Sequence, residues 1–80
     1  FAEKLRTIFR ESITSIDSAQ NIVVVKTMPG LASAACAALD DMDLNYMMGS
    51  LAGDDTAFLV MRDPESAQTF CREIQEMINM

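Results

Sequence analysis

Apolar residues recur along the chain at two different spacings, and their order predicts the secondary structure. Phe1, Leu5, Ile8 and Phe9 lie at helical spacing and predict a short amphipathic helix within residues 1–12. Two short segments follow, Ile13 to Asp17 and the wholly apolar Ile22 to Val25, separated by a polar turn. They predict a hairpin whose second strand, apolar on both faces, lies inside the sheet.

The second half of the chain repeats this pattern with longer helices. An amphipathic helix is predicted from the spacing of Leu31, Ala34, Ala35, Ala38, Leu39 and Met42. A second hairpin is predicted from Tyr46 to Ala52 and from Thr56 to Met61, and Asp63 and Pro64 should then cap and open a last helix. The apolar stripe of that helix is Ala67, Phe70, Cys71, Ile74, Met77 and Ile78. The order of elements predicts a two-layer α+β sandwich, with helices on one face of a four-stranded sheet.

The turn of the second hairpin carries two adjacent carboxylates, Asp54 and Asp55, after Gly53. Glycine is expected there because such turns often require a positive φ. No basic residue occurs between Lys26 and Arg62, although the same window also holds Asp40, Asp41 and Asp43. If these carboxylates bind a cation, the window itself does not supply it.

Three interpretations of the acidic residues compete. The first is an ordinary hairpin turn, for which Gly, Asp and Thr are favoured on conformational grounds alone. The second is a calcium loop, since Asp41, Asp43 and Asn45 match the first three positions of the EF-hand pattern. The rest of that pattern fails, because Tyr46 takes the place of its glycine and Ala52 that of its closing glutamate. No metal site is therefore predicted.

The third interpretation is recognition of a guanidinium or ammonium group, because charge-assisted contacts to carboxylates are short and strong. Catalysis is a weaker alternative: the chain has no histidine, and neither Cys36 nor Cys71 has an imidazole to activate it. We predict no catalytic residue and no cofactor. Ser33 and Asp40 lie seven residues apart and hence on one flank of the predicted helix, within about 20° of each other.

Size and charge suggest how the domain is stabilised and what it binds. A chain of 80 residues forms one domain that buries only about 60% of its unfolded surface. Half of its residues are apolar and seven are Met, which predicts an oligomer with an apolar, Met-containing interface. The net charge of −6 argues against direct contact with nucleic acid or an anionic membrane and favours a cationic small molecule.

The two cysteines lack the spacing of a metal or redox motif and are expected to be buried and reduced, which favours the cytoplasm. No apolar run reaches the length of a membrane span.

Three motifs together resemble one protein family. They are Thr27-Met28-Pro29-Gly30 after the strand beginning at Asn21, then Leu39-Asp40, and then the run from Gly49 to Thr56. In these motifs the chain is similar, from about Ile13 to its end, to the C-terminal domain of bacterial arginine repressors. The resemblance implies a DCoH-like fold, trimers that stack into a hexamer, and L-arginine bound between the trimers as corepressor. It also implies that operator DNA is bound by an N-terminal winged helix-turn-helix domain that these residues do not contain.

The resemblance also implies which residues contact L-arginine. Asp54 and Asp55 correspond to the aspartates of the family's turn, Asp40 to that of its helix, and Ser33 to a position one stripe earlier. Backbone groups near Ala52 are implied as well. Relatives often carry a longer Gln, Asn or His at the position of Ser33. Residues 13–80 then form the arginine-binding oligomerisation domain, and residues 1–12 the end of a linker. The alternatives are a structural oligomerisation module without a ligand, and a sensor of citrulline, lysine or a related amino acid.

Overall fold

The computed structural model describes residues 3–42 and 44–79 and contains the predicted elements in the predicted order. Phe1 of the first predicted helix and Asp43 of the calcium-loop pattern lie outside the described residues. The elements are α1 (Glu3–Ser12), β1 (Ile13–Ala19), β2 (Ile22–Thr27), α2 (Ala32–Asp41), β3 (Met47–Ala52), β4 (Thr56–Met61) and α3 (Pro64–Ile78).

The four strands form one antiparallel sheet in the order β1-β2-β4-β3. Strand β2 is central, as predicted, with Val23 and Val25 buried on one face of the sheet and Val24 half-buried on the other. It pairs with β4 so that Val24 lies opposite Phe58 and Lys26 lies opposite Thr56. Strands β1 and β3 are therefore the edges, and each has one register irregularity near its start.

The three helices cover one face of the sheet, which confirms the two-layer α+β sandwich. Helix α3 packs mainly on β1 and α2 mainly on β3 and β4, while α1 packs against both helices. Phe9 of α1 is fully buried in this core. The covered face of the sheet contributes Val23, Val25, Ala57, Leu59 and Met61. The division of the chain at residue 12 stays a prediction.

Helix α3 begins and packs as its sequence predicts. The Asp63 carboxylate accepts the Ser66 N–H at 2.7 Å, and Pro64 occupies the first turn, where its missing N–H costs no hydrogen bond. All predicted apolar positions are buried except Ile78, which is half-buried. Cys36 and Cys71 are both buried and free, as expected.

Helix α2 faces the core at Ala35, Ala38, Leu39 and Met42, as predicted, but not at the other two predicted positions. Its buried positions are Ala32, Ala35, Cys36, Ala38 and Leu39, whereas Leu31 and Ala34 are exposed. The predicted stripe was wrong at Leu31 and Ala34 because alanine occupies several faces of this helix, so apolar spacing does not define one face. At the N-terminus of the helix, the buried Ala32 donates its N–H to the carbonyl oxygen of Asp54.

The opposite face of the sheet is open and apolar. Leu51 is 76% exposed and Phe58 51% exposed, and Val60 beside them is also exposed. Ile22 and Val24 of β2 lie half-buried on the same face. In the described part of the chain, no helix is both long and apolar enough to cross a membrane.

Candidate functional site

The turn between β3 and β4 holds Asp54 and Asp55 at its tip, as predicted, and both side chains are exposed. The Gly53 N–H donates to the Thr56 carbonyl oxygen at 2.8 Å and closes the hairpin. The expectation of a positive φ at Gly53 was wrong. The glycine with a positive φ is Gly30, at 81°, and both aspartates have negative φ, so this hairpin turn does not use the left-handed conformation.

The main chain of Asp54 is hydrogen-bonded to the start of α2. Its carbonyl oxygen accepts the N–H groups of Gly30 at 3.1 Å and of Ala32 at 3.2 Å. Its carboxylate also accepts the Gly30 N–H, through Oδ2 at 3.3 Å. Since Leu31 provides no side-chain cap, Asp54 satisfies one of the free N–H groups that begin this helix. The acidic turn and α2 are therefore joined through their backbones.

Asp55 is held through both its main chain and its side chain. Its carbonyl oxygen accepts the Thr27 N–H at 2.8 Å. Its Oδ1 accepts the Thr56 hydroxyl at 3.0 Å, and the Thr56 oxygen in turn accepts the Lys26 ammonium at 3.0 Å. Sequence reasoning did not identify Thr56 or Lys26 as site residues. The alternation of side chains along β2 and β4 could have indicated them, because it places Lys26 and Thr56 on the same face of the sheet once the two strands are paired.

Helix α2 carries Ser33 and Asp40 on one exposed flank, as their spacing predicts. Ser33 directly follows Ala32 and so lies at the end of the helix that contacts the turn. Asp40 lies seven residues further along, at a rise of about 10 Å. Ser33 thus lies at the end of α2 that is bonded to the Asp54 backbone, and Asp40 lies at the other end.

Ala52 presents its backbone at the edge of the sheet. Its side chain packs against the core opposite Ala57. Because Gly53 and Thr56 form a hydrogen-bonded pair, the neighbouring pair of Ala52 and Ala57 is a non-hydrogen-bonded one. The N–H and C=O groups of Ala52 therefore point away from β4, towards the free edge of β3. This geometry suits the backbone role predicted for this position.

The Cys36 thiol lies on the buried side of α2, about one helical turn before the exposed Asp40. Burial raises the pKa of Cys36, the Asp40 charge raises it further, and an interaction with the Ser50 side chain partly lowers it. Ser50 belongs to β3, so the middle of α2, at Cys36, faces this edge strand. A buried thiol with a raised pKa is protonated near neutral pH and is a poor nucleophile.

An open groove of about 350 Å³ borders the turn on the open face of the sheet. It is lined by Leu51, Ala52, Gly53, Thr56 and Phe58. Thr56 therefore contacts both this groove and the Asp55 carboxylate. A smaller groove, of about 180 Å³, lies at the start of α3, where Asp63 is already occupied as the helix cap. Over residues 3–42 and 44–79, no three metal-ligating side chains lie close enough to hold an ion.

The chain matches the family described as "Arginine repressor, C-terminal domain" over residues 9–76. Similar proteins named arginine repressor occur in several bacteria. The identity is 47% over 75 residues with the protein of Alkaliphilus metalliredigens, covering 94% of this chain and 48% of that protein. For Acetivibrio thermocellus it is 45% over 74 residues, covering 92% and 48%. For Clostridium acetobutylicum it is 41% over 78 residues, covering 98% and 52%.

These matches define the class first: a domain of transcriptional repressors, not of enzymes. The chain belongs to the arginine repressor C-terminal domain family. The resemblance based on the three sequence motifs is thereby confirmed. The chain spans about half the length of the curated relatives it matches.

Proposed function

We propose that this domain binds L-arginine between subunits and that binding stabilises a hexamer made of two trimers. In this proposal the domain is the sensing and assembly part of an arginine-dependent repressor. L-Arginine acts as the corepressor ligand, and occupancy of the site controls how DNA-binding domains are presented to operator DNA.

The main support for the proposal is that the backbones of Asp54 and Asp55 are fixed by hydrogen bonds while their carboxylates are exposed. Both carboxylates are exposed, yet their main-chain carbonyls are held by N–H groups of Thr27, Gly30 and Ala32. Within the described residues, their carboxylate oxygens accept hydrogen bonds from uncharged groups, namely the Gly30 N–H and the Thr56 hydroxyl. Two fixed anions with remaining acceptor capacity suit a planar guanidinium, which donates in pairs to carboxylates.

The arrangement within one chain favours a shared site. Ser33 follows Ala32, whose N–H is bonded to Asp54, whereas Asp40 lies at the far end of α2, and the side chains of Ser33, Asp40, Asp54 and Asp55 are all exposed. Charge-assisted hydrogen bonds are worth about 1.5–3 kcal/mol when shielded, and much less in open water. A second subunit would enclose the ligand and bring the separated groups to one molecule. The free backbone groups of Ala52 lie at the sheet edge, where they are accessible to such a ligand.

The open face of the sheet supports self-association. Leu51, Phe58 and Val60 form an exposed apolar surface, and Met48 in the irregular start of β3 is 59% exposed. Contiguous exposed apolar surface on a small domain is typical of an interface. The predicted Met-containing interface between subunits is therefore proposed to include this face.

We propose that DNA is bound by a part of the protein outside these 80 residues. The net charge of −6 opposes approach to a phosphate backbone, so a separate winged helix-turn-helix domain is expected to carry the basic surface. We expect the whole protein to act in the cytoplasm, where buried free thiols such as those of Cys36 and Cys71 stay reduced.

Light scattering tests the proposal directly. The molar mass of the chain is measured at low micromolar concentration without ligand, with millimolar L-arginine, and with millimolar citrulline. Citrulline has the shape of arginine but lacks the charged guanidinium. We expect a mass of six chains that L-arginine stabilises and citrulline does not, together with a higher melting temperature in L-arginine alone.

The other outcomes distinguish the alternatives. If L-arginine changed neither the molar mass nor the melting temperature, the sensing function would be overturned and a structural oligomerisation module would remain. Equal stabilisation by citrulline would show that charge recognition by the aspartates is not the basis of binding. Stabilisation by lysine but not by L-arginine would identify a different amino-acid ligand.

A further inference from the structure

We propose that Thr56 and Lys26 are positioning residues, which orient the Asp55 carboxylate for a cationic ligand through two consecutive hydrogen bonds. The inference rests on the proposed function, because it concerns the same ligand site. It adds two residues that neither the acidic motif nor the helix flank includes.

The backbone holds Lys26 and Thr56 side by side. They lie directly opposite each other where β2 pairs with β4. The adjacent pair, Thr27 and Asp55, is hydrogen-bonded through the Thr27 N–H at 2.8 Å. The pair of Lys26 and Thr56 is therefore of the non-hydrogen-bonded kind, in which the side chains of antiparallel strands come closest. The contact between them is consequently built into the register of the two central strands.

The chemistry of the three groups gives the two bonds a single direction. The Lys26 ammonium has only donors, so at 3.0 Å it donates to the Thr56 oxygen. The one hydroxyl hydrogen of Thr56 is then free to be donated to Asp55 Oδ1, also at 3.0 Å. An ionised carboxylate only accepts, so the series ends there. Oδ1 is held by the protein, and within residues 3–42 and 44–79 no donor bonds to Oδ2, which is left for a donor from the ligand.

Because Lys26 is positively charged, a positioning role and a direct electrostatic effect on the bound arginine predict different results when Lys26 is removed. The two hydrogen bonds put the ammonium nitrogen within about 6 Å of Asp55 Oδ1. A cation at that distance repels a guanidinium, so through charge alone its removal should tighten arginine binding. If instead Lys26 acts by holding Thr56, its removal should weaken arginine binding. The two effects have opposite signs.

The test is calorimetric titration of the chain with L-arginine, using four single variants and the double variant that combines Lys26→Met with Thr56→Val. Thr56→Val removes the hydroxyl but keeps the branched shape, and Thr56→Ser keeps the hydroxyl. Lys26→Met removes the ammonium but keeps the aliphatic length. Arg62→Met is the matched control, since it also removes one positive charge, but just beyond the opposite end of β4, about 20 Å from Thr56.

We expect Thr56→Val to weaken arginine binding about five- to tenfold and Thr56→Ser to restore it to within about twofold of the original. Lys26→Met should weaken it about two- to fivefold, while Arg62→Met should leave it unchanged or slightly tighter. In the double variant, the effect of Lys26→Met should largely vanish, because Thr56→Val already breaks the connection to Asp55. Melting without ligand checks that each variant is folded.

Two results would overturn the inference while leaving the proposed function intact. One is tighter arginine binding in Lys26→Met, which would show that its charge outweighs any positioning. The other is unchanged binding in Thr56→Val. If the unsubstituted chain and Thr56→Ser gave no binding heat at all, the proposed function itself would fail, and this positioning role with it.

Discussion

The carbonyl oxygen of Asp54 accepts the backbone N–H of Ala32 at 3.2 Å, so the turn that carries the two carboxylates is bonded to the first residue of helix α2. The same carbonyl accepts the Gly30 N–H at 3.1 Å. The two parts of the proposed site, the turn and the helix flank, thus share one set of hydrogen bonds. A change that disturbs the loop before α2 should therefore disturb the turn as well.

Gly30→Ala should destabilise the fold. Gly30 has a φ of 81°, and an added Cβ would meet no atom within 4 Å, so the cost comes from the backbone alone. In the left-handed region this cost is about 1–2 kcal/mol. Urea unfolding at fixed protein concentration measures it. Gly49→Ala is the matched control, because its Cβ also meets nothing within 4 Å and its φ is not positive. Equal stability of the two variants would show that the conformation at Gly30 is not maintained.

Asp54→Asn should weaken L-arginine binding without unfolding the domain. The amide oxygen can still accept the Gly30 N–H, so the substitution removes mainly the charge. Losing a shielded charge-assisted contact corresponds to roughly ten- to a hundredfold in affinity, which calorimetric titration measures. Asp41→Asn, at an exposed aspartate that ends α2, provides the control with the same charge change. An unchanged affinity in Asp54→Asn would remove Asp54 from the site.

Much of the fold could be predicted because its strands are bounded by clear signals. The observed β4, Thr56–Met61, has the predicted limits, and α3 begins at Pro64 after the expected Asp63 cap. The orientation of α2 could not be predicted in the same way. Five of its ten residues are alanine, so its faces differ little in apolar character, and the buried face includes Ala32, whose N–H is bonded to Asp54.

In the candidate site too, the features set by local sequence could be predicted and those set by long-range strand pairing could not. The positions of Asp54 and Asp55 follow from local turn chemistry, which the sequence displays. The bonds from Lys26 to Thr56 and from Thr56 to Asp55 depend on the pairing of β2 with β4, two strands separated by a helix and another strand. Nothing local specifies that register, because the turn of a hairpin aligns only the strands it connects. The same is true of Gly30, whose φ is associated with contacts to a turn more than twenty residues away.

Asp63→Asn should alter how the stability of the domain depends on pH. The hydrogen bonds with Ser66 lower the pKa of the Asp63 carboxyl in the folded chain below its ordinary value of 3.8. Its charge therefore stabilises the fold at pH values above the ordinary value, and this stabilisation is lost as the pH falls through the lowered one. Asparagine caps a helix without a charge. The unsubstituted chain should be more stable than Asp63→Asn at pH 7, with the difference shrinking below about pH 4.

Denaturant unfolding of both chains between pH 7 and pH 2.5 measures this difference. Because the other carboxylates are common to both chains, their titration cancels in the comparison. A difference that stays constant with pH would show that the Asp63 charge does not contribute to the cap.

Leu51→Glu should reduce assembly while leaving the fold of each subunit intact. Leu51 is 76% exposed and lies opposite Phe58 on the open face of the sheet, so a glutamate there meets water in a single chain. In an assembled state it would place a charge within an apolar interface, and an unpaired buried charge is strongly unfavourable. We expect light scattering to give a smaller mass than for the unsubstituted chain at equal concentration, with an unchanged circular dichroism spectrum. Gln68→Glu adds the same charge on an exposed position of α3 and should leave the mass unchanged. If both variants kept the original mass, the subunits would associate through a surface other than the open face of the sheet.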